Sequence, residues 1–284
     1  MPYKNVERFA PSPTGPLHLG HAYSALTAAR HTQQFLVRME DIDTARCRPE
    51  WEAMIYDDLR WLGLDWSEPV LRQSDRLPLY HAAVAQLQNA GLTYRCTCTR
   101  ADIKAALSAP QEGAPMHGPD GLIYPGTCRD ACHNKPDAAI RLNMAAAISY
   151  LGDVSRLHFT ELDAGNDGQH GDIYLNADHL LHSVGDIVLA RKDIGTSYHV
   201  AVVVDDAAQG ITHVTRGRDL FSATPLHRLL QALLNLPTPL YRHHRLIRDQ
   251  NGKRLAKRDD ARALSTLRAE GWTRADVLNA IELT

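Results

Sequence analysis

The fold of this chain is decided by residues 8–21, whose sequence is RFAPSPTGPLHLGH. Residues 6–10 predict a buried strand, and the prolines and the glycine that follow end it. Residues 19–34 predict the helix that comes next. His18 and His21 lie three residues apart, so they share one face of its first turn, where a helix N-terminus favours anionic phosphates. The segment therefore predicts a nucleotide-binding strand–turn–helix; the plainer alternative is the same unit with two surface histidines.

Composition limits the classes of protein that fit. A chain of 284 residues with 44% hydrophobic residues can form a catalytic core and a small appendage. Its formal net charge of −2 gives no global sign of nucleic-acid binding, so RNA contacts would need a local basic patch. We find no targeting sequence and no apolar run of membrane length, and we expect a cytoplasmic protein with no membrane partner. Five cysteines suit metal binding in a reducing compartment better than a disulfide framework.

Helical and strand-like segments alternate along the chain, which predicts an α/β fold, a Rossmann-type doubly wound parallel sheet with an insertion. The continuous apolar run at residues 200–204 predicts a strand covered on both faces. Further strands are predicted at residues 35–40, 139–142 and 186–189, and helices at residues 49–62, 77–89 and 225–234.

A second motif lies near the other end, at residues 251–259, whose sequence is NGKRLAKRD. Residues 253–258 contain four cations, and a glycine turn precedes them. Such a loop can neutralise the charge that develops on an α-phosphate and on leaving pyrophosphate. A basic run alone is more often a solvated face, but together with residues 8–21 it indicates a nucleotide site.

Residues 8–21 resemble the first signature of class I aminoacyl-tRNA synthetases of the glutamyl type, where Ser-Pro-Thr-Gly follows the strand. Residues 254–258 resemble the second signature of that class, the KMSKS loop, with Arg254 in place of the first lysine and Ala256 in place of the serine. The resemblance implies that His18, His21 and Lys257 act in catalysis and that Mg²⁺ accompanies ATP. It implies ATP binding by His18, Gly20, His21 and Lys257.

A glutamate substrate presents two carboxylates and an ammonium group, so its pocket needs two cations and one acid. Arginine suits a carboxylate because its fork binds both oxygens. The same resemblance implies glutamate contacts at Arg8, Ala10, Ser12, Glu40, Tyr198 and Arg216. Glutamyl enzymes carry an arginine at the Arg216 position and glutaminyl ones lack it, so we hypothesise that Arg216 binds the side-chain carboxylate. An ordinary surface ion pair is the alternative for any one of these residues.

The closely spaced cysteines predict a metal site. Cys96 and Cys98 start a segment of low periodicity, and soft thiolates in such a segment fit one structural zinc ion. Cys128 lies further along the chain, and chemistry alone offers Cys132 or His133 as the fourth ligand. Reduced cysteines without a metal are the alternative. Glutamyl-Q tRNA(Asp) synthetases carry a Cys-x-Cys pair and a tyrosine four residues before a third cysteine. Resemblance to them implies the ligands Cys96, Cys98, Tyr124 and Cys128.

The length of the C-terminal tail indicates what receives the glutamate. Only 26 residues follow Arg258, predicted as a helix pair and too short for an anticodon-binding domain. Over essentially its whole length the chain resembles the glutamyl-Q tRNA(Asp) synthetases, which attach activated glutamate to the queuosine base in the anticodon of tRNA(Asp). The resemblance implies L-glutamate, ATP and queuosine-containing tRNA(Asp) as partners of a monomer. Residues 242–245 are candidates for RNA backbone contacts, with a solvated turn as the alternative.

Three other functions stay open: a minimal glutamyl-tRNA synthetase that charges an acceptor end, a non-catalytic tRNA-binding paralogue, and a nucleotidyltransferase.

The predicted organisation has four parts. They are residues 1–95, the first half of the Rossmann core; 96–135, a zinc-binding loop module; 136–237, an insertion and the second half of the core; and 238–284, the cation loop and a short helical tail.

Overall fold

A computed structural model of the protein describes residues 4–107, 117–163, 169–247 and 262–283. The strands are β1 (Val6–Phe9), β2 (Gln34–Met39), β3 (Leu71–Arg72), β4 (Thr93–Cys96), β5 (His117–Gly118), β6 (Gly121–Leu122), β7 (Ala139–Leu142), β8 (His158–Glu161), β9 (Gly171–Tyr174), β10 (Val188–Ala190), β11 (His213–Gly217) and β12 (Leu240–His244). The helices are α1 (Leu19–Arg30), α2 (Pro49–Trp61), α3 (Leu77–Asn89), α4 (Arg100–Leu107), α5 (Met144–Leu151), α6 (Ala177–His179), α7 (Tyr198–Ala208), α8 (Thr224–Leu233), α9 (Leu264–Ala269) and α10 (Arg274–Ala280).

Parallel strands form the centre of the molecule. β1 pairs with β2 and β2 with β3, while β11 pairs with β12 and β12 with β8, all in parallel. β1 and β11 are neighbours, because the main-chain N–H of Thr212 donates to the Val6 carbonyl at 3.0 Å and the Val6 N–H donates to the Thr212 hydroxyl at 2.9 Å. The resulting order β3-β2-β1-β11-β12-β8 brings together the carboxyl ends of strands from both halves of the chain. The predicted mixed α/β architecture is confirmed at this level.

A separate antiparallel sheet interrupts the parallel core. β4 and β10 both pair with β7, in the order β10-β7-β4. The sequence predicted only short strands between residues 138 and 190, whereas the structure places helix α5 there. Asn143 caps α5, since its side-chain oxygen accepts from the main-chain N–H of Ala146 at 3.1 Å.

The prediction of a strand at residues 200–204 is wrong, because this run lies inside helix α7. Ser197 caps the helix, accepting from the N–H of Val200. A helix that is buried around most of its circumference shows the same unbroken apolar run as a strand covered on both faces. Arg216 itself lies in strand β11, and helix α7 carries Asp205 and Asp206 into the interior.

Two hydrophobic cores support this arrangement. One lies among α3, α5, α7 and α8, and the other packs α1 and α2 against the C-terminal helices α9 and α10. The predicted helix pair in the tail is thus confirmed, and Leu264, Leu267 and Val277 bury its apolar face. Among the residues that the structure describes, no helix combines the length and the apolar character needed to cross a bilayer.

Candidate active site

A cavity of about 570 Å³ opens at the carboxyl ends of β1, β2, β11 and β12. This end of a parallel α/β sheet is where such folds bind ligands. All the predicted ATP and glutamate residues that the structure describes line the cavity: Arg8, Ala10, Ser12, His18, Gly20, His21, Glu40, Tyr198 and Arg216. Lys257 lies outside the described residues, as does the rest of residues 248–261.

The two predicted catalytic histidines cap helix α1. The Nδ1 atom of His18 accepts from the N–H of Gly20, and the Nδ1 atom of His21 accepts from the N–H of His18, both at 3.1 Å. The ring centroids are 3.8 Å apart. Because both Nδ1 atoms accept, each neutral ring carries its proton on Nε2. The pair therefore offers N–H donors at a helix N-terminus, an arrangement suited to phosphate oxygens.

An ion-pair network fixes the Arg8 side of the cavity. The Nε atom of Arg8 donates to Asp206 Oδ1 at 2.8 Å, and the fully buried Arg38 donates to the same oxygen at 2.7 Å. Arg38 also lies 3.3 Å from Glu40 Oε1. Arg8 is thus already paired with a carboxylate, and Asp206 holds its guanidinium in place.

Glu40 and Tyr198 both line the cavity, and the charge of Glu40 acts on the Tyr198 hydroxyl. Burial raises the pKa of Glu40, and the charges of Arg38 and Arg8 oppose that effect. Burial also raises the pKa of Tyr198, so its hydroxyl keeps its proton and serves as a donor or acceptor. Glu40 lines the cavity as predicted, and its role at an ammonium subsite stays a prediction.

Arg216 differs from Arg8 in the charge of its partners. Its Nε atom donates to His243 Nε2 at 3.0 Å, its Nη1 atom contacts His227 Nδ1 at 3.1 Å, and its Nη2 atom donates to Thr224 Oγ1 at 2.8 Å. None of these three partners carries a carboxylate. A buried guanidinium held by neutral groups keeps its charge available for an incoming anion.

Sequence reasoning missed the residues behind Arg216. His227 and His243 belong to α8 and β12, and Arg216 on β11 is in register with His243. The sequence carries 15 histidines, but nothing in their spacing distinguishes those that point inward. Asp206 was equally hidden, because residues 200–204 were assigned to a strand.

The interpretation of residues 242–245 as a solvated turn is wrong for residues 242–244, which belong to strand β12, and the interpretation as RNA contacts does not fit the buried His243. His243 is fully buried, and His244 is 5% exposed and lines the cavity. Both belong to strand β12. Burial lowers the pKa of His244 and makes a neutral ring the stable form.

The cysteine cluster forms as a compact group. The sulfurs of Cys96, Cys98 and Cys128 lie within 4.8 Å of one another, and no other group of three His, Cys, Asp or Glu side chains in the described ranges is arranged to hold a metal. The Tyr124 hydroxyl lies 3.3 Å from Cys98 Sγ and accepts from the N–H of Cys128 at 2.8 Å. Cys132 is exposed and outside the three-sulfur group, and His133 contacts the Thr97 hydroxyl at 3.3 Å.

Thiol chemistry in the cluster is uneven. Burial raises the pKa of Cys98 to about 11. For Cys128 the effect of burial is outweighed by hydrogen bonds with Tyr124 and Thr97, and the pKa falls to about 6. The guanidinium of Arg141 lies 3.9 Å from the centre of the Tyr124 ring. Three thiols and a phenol at these distances are a donor set that could hold a metal ion.

Known proteins are similar to this chain in sequence and in fold. The family model described as the catalytic domain of class I tRNA synthetases (E and Q) matches residues 5–284. A glutamyl-Q tRNA(Asp) synthetase of Rhodobacter capsulatus is 55% identical over 98% of this chain and 100% of its own length. The chain belongs to the glutamyl-Q tRNA(Asp) synthetase family. As a member of this family it is a ligase-type enzyme.

Two further comparisons agree with this family. A glutamyl-Q tRNA(Asp) synthetase of Albidiferax ferrireducens is 41% identical over 92% of this chain and 87% of its own length. A crystal structure of a glutamate tRNA ligase from Elizabethkingia meningosepticum in complex with its amino acid superposes with a TM-score of 0.72 at 25% identity. The superposition covers 99% of this chain and 61% of that ligase. The family to which this chain belongs thus shares its catalytic fold with a longer glutamate enzyme.

Proposed function

We propose that this protein activates L-glutamate with ATP and transfers it to the queuosine base in the anticodon of tRNA(Asp). One observation supports the amino acid side of the proposal most directly. Arg8 and Arg216 line the same cavity, and among the described residues Arg8 bonds directly to a carboxylate whereas Arg216 bonds to two histidines and a threonine. Arg216 therefore binds the side-chain carboxylate of glutamate, and Glu40 faces the ammonium group.

The activation step needs positioning and charge stabilisation and no covalent enzyme nucleophile. An α-carboxylate oxygen of glutamate attacks the α-phosphate of ATP, the bond from that phosphorus to the bridging oxygen breaks, and pyrophosphate leaves. In the second step a hydroxyl of queuosine attacks the acyl carbon of glutamyl-adenylate, and AMP leaves. Arg8, Ala10, Ser12 and Tyr198 complete the glutamate subsite.

The ATP subsite is formed by His18, Gly20 and His21 at the start of α1. The Nε2–H groups of the histidines donate to phosphate oxygens, and Gly20 leaves room for the base. Mg²⁺ enters with the ATP phosphates. Lys257, which the resemblance assigns to catalysis, adds positive charge at the same phosphates. Two described residues that precede and follow residues 248–261 in the sequence lie at this subsite: Ile247 lines the cavity, and Ala263 forms a β-bridge with His18.

The cysteine cluster holds one structural zinc ion with ligands Cys96, Cys98, Tyr124 and Cys128. Three thiols and a phenol are ligands that zinc could take, and the ion would reinforce the small hydrophobic cluster that Cys96, Tyr124 and Cys128 form. All five cysteines are free thiols, which supports a reducing compartment, and we assign the protein to the cytoplasm.

Amino-acid-dependent exchange of labelled pyrophosphate into ATP tests the activation step. We expect exchange with glutamate and at least tenfold less with glutamine or aspartate, because only glutamate places its second carboxylate at Arg216. Exchange that is independent of the amino acid, or no exchange at all, would contradict the proposal and favour a non-catalytic tRNA-binding protein.

A further inference from the structure

Buried histidines enclose the guanidinium of Arg216. His243 and Thr224 have no exposed surface, His227 is 1% exposed, and Arg216 itself is 5% exposed. The chain of contacts continues past the first layer. His227 Nε2 lies 3.0 Å from His199 Nδ1, and His199 Nε2 lies 3.8 Å from Asp120 Oδ1. On the other side, His243 Nδ1 contacts the buried carboxylate of Glu161.

The direction of each hydrogen bond follows from Arg216, which can only donate. His227 Nδ1 must therefore accept, so the proton of its neutral ring is on Nε2 and is donated to His199 Nδ1. A protonated His227 would set two N–H donors against each other. His243 Nε2 likewise accepts from Arg216, which leaves its proton on Nδ1 for Glu161. Burial and the charge of Arg216 lower the pKa of His227 and agree with the neutral form.

A carboxylate in the position of His227 would hold Arg216 at least as firmly. The cavity shows that alternative at Arg8, whose guanidinium pairs with Asp206 at 2.8 Å. Such a pair would offset the charge of Arg216 and weaken its attraction for a second carboxylate. At Arg216 the acids are kept out of direct contact: Glu161 lies one ring away, behind His243, and Asp120 lies two rings away, behind His227 and His199.

We propose that His227 is a positioning residue for substrate specificity: with His243, it aims the guanidinium of Arg216 through a neutral ring and so reserves its charge for the side-chain carboxylate of the amino acid. This inference rests on the proposed glutamate activation. It explains why two imidazoles and a hydroxyl, rather than acids, surround a buried cation.

The test compares His227→Asn with His227→Asp by pyrophosphate exchange, with glutamate and glutamine as substrates. Asn places an acceptor near the former Nδ1 atom without charge, and Asp is its charged isostere. We expect His227→Asn to raise the glutamate KM by less than threefold. We expect His227→Asp to raise it at least tenfold, with the ATP KM unchanged and the preference for glutamate over glutamine lowered at least tenfold. His179→Asp, which adds the same charge on an exposed helix, is the control.

Two results would overturn the inference. One is an equal loss for both amino acids in His227→Asp, which indicates structural damage. The other is an equal effect of the Asn and Asp variants on the glutamate KM. If wild-type protein shows no glutamate-dependent exchange, the proposed function has failed; if Arg216→Leu abolishes glutamate selectivity and His227→Asp does not, only the inference has failed.

A measurement on the wild-type protein keeps the inference testable if His227→Asp does not fold. Nitrogen NMR of protein labelled at its histidines reports the protonation of each ring atom. We expect the resonances that disappear in His227→Asn to show a neutral ring with its proton on Nε2 at pH 7. A protonated ring, or a proton on Nδ1, would contradict the positioning role.

Discussion

At the scale of single residues, the site distinguishes two arginines by what holds them. Asp206 pairs with Arg8 and is shared with Arg38, whereas histidines and Thr224 hold Arg216 without a carboxylate of the described residues in direct contact. The two arginines of the cavity thus differ in the charge of the groups that hold them. The difference lies in the partner groups and not in the arginine.

Replacement of Arg216 by leucine tests this distinction. Truncating one partner of a buried, hydrogen-bonded charge pair costs about 2–5 kcal/mol, which is roughly 30-fold or more in kcat/KM. We therefore expect Arg216→Leu to lower kcat/KM for glutamate by at least that factor while the ATP KM changes little. Arg156→Leu removes an arginine whose side chain is 86% exposed and serves as the control. An unchanged glutamate KM in Arg216→Leu would refute the assignment.

At the scale of elements, the sequence predicted helices α1, α2, α3 and α8 and the pair α9 and α10, and it did not predict α4 to α7. Helix α3 was predicted with the bounds that the structure shows, because Pro78 sits in its first turn and Gly91 follows its end. Helix α7 was misassigned because periodicity cannot separate a buried helix from a buried strand. The motif at residues 8–21 predicted the cavity residues that lie within it. His227 and Asp206 could not be predicted, because their positions depend on contacts between elements that are distant in the sequence.

The buried histidines of β12 and α8 make folding stability depend on pH. Burial, with the charge of Arg216, lowers the pKa of His243 to about 4 although the Glu161 hydrogen bond opposes it, and burial also lowers the pKa of His227. Between about pH 4 and the ordinary histidine pKa near 6.5, the unfolded chain binds protons that the folded chain excludes. The contribution of these histidines to the free energy of unfolding is therefore largest above pH 6.5 and decreases as the pH falls.

Each such histidine contributes up to about 1.4 kcal/mol per pH unit over that range. We expect urea unfolding to show a loss of at least about 1 kcal/mol between pH 6.5 and pH 5.5, which is less than one full histidine slope. His227→Asn should show a shallower dependence, because one of the titrating rings is gone. Stability that stays constant or rises as the pH falls over this interval would contradict the assignment of neutral buried rings.

The cysteine cluster predicts the metal content of the protein. We expect one zinc ion per wild-type chain by elemental analysis, and a large loss of zinc with a lower Tm in Cys128→Ser, because the ion stabilises a segment with little core of its own. Cys132→Ser is the matched control, since Cys132 is exposed and outside the three-sulfur group. Tyr124→Phe tests the phenol ligand by a partial loss of zinc. Wild-type protein without zinc, or equal losses in both serine variants, would contradict the proposed site.

At the scale of the whole molecule, each of the two hydrophobic cores supports one side of the cavity. Residues from β1 and α1 belong to the second core and those from α7 and α8 to the first, and the contact between β1 and β11 joins them. The resemblance implied that β1 and α7 meet, because it assigned Arg8 and Tyr198 to one glutamate subsite. It did not predict the antiparallel sheet of β4, β7 and β10, in which Thr93 pairs with Leu142 and Val188 pairs with Arg141, residues far apart in the sequence. The monomeric state stays a prediction.

The most direct test of the account is transfer of radiolabelled glutamate to purified tRNAs. We predict that the protein labels tRNA(Asp) that carries queuosine and labels neither queuosine-free tRNA(Asp) nor tRNA(Glu). Nuclease digestion should locate the label in the anticodon loop, where unpaired bases are open to specific recognition. Label on tRNA(Glu) would instead identify a minimal glutamyl-tRNA synthetase, and glutamate on queuosine-free tRNA(Asp) would contradict the proposed acceptor.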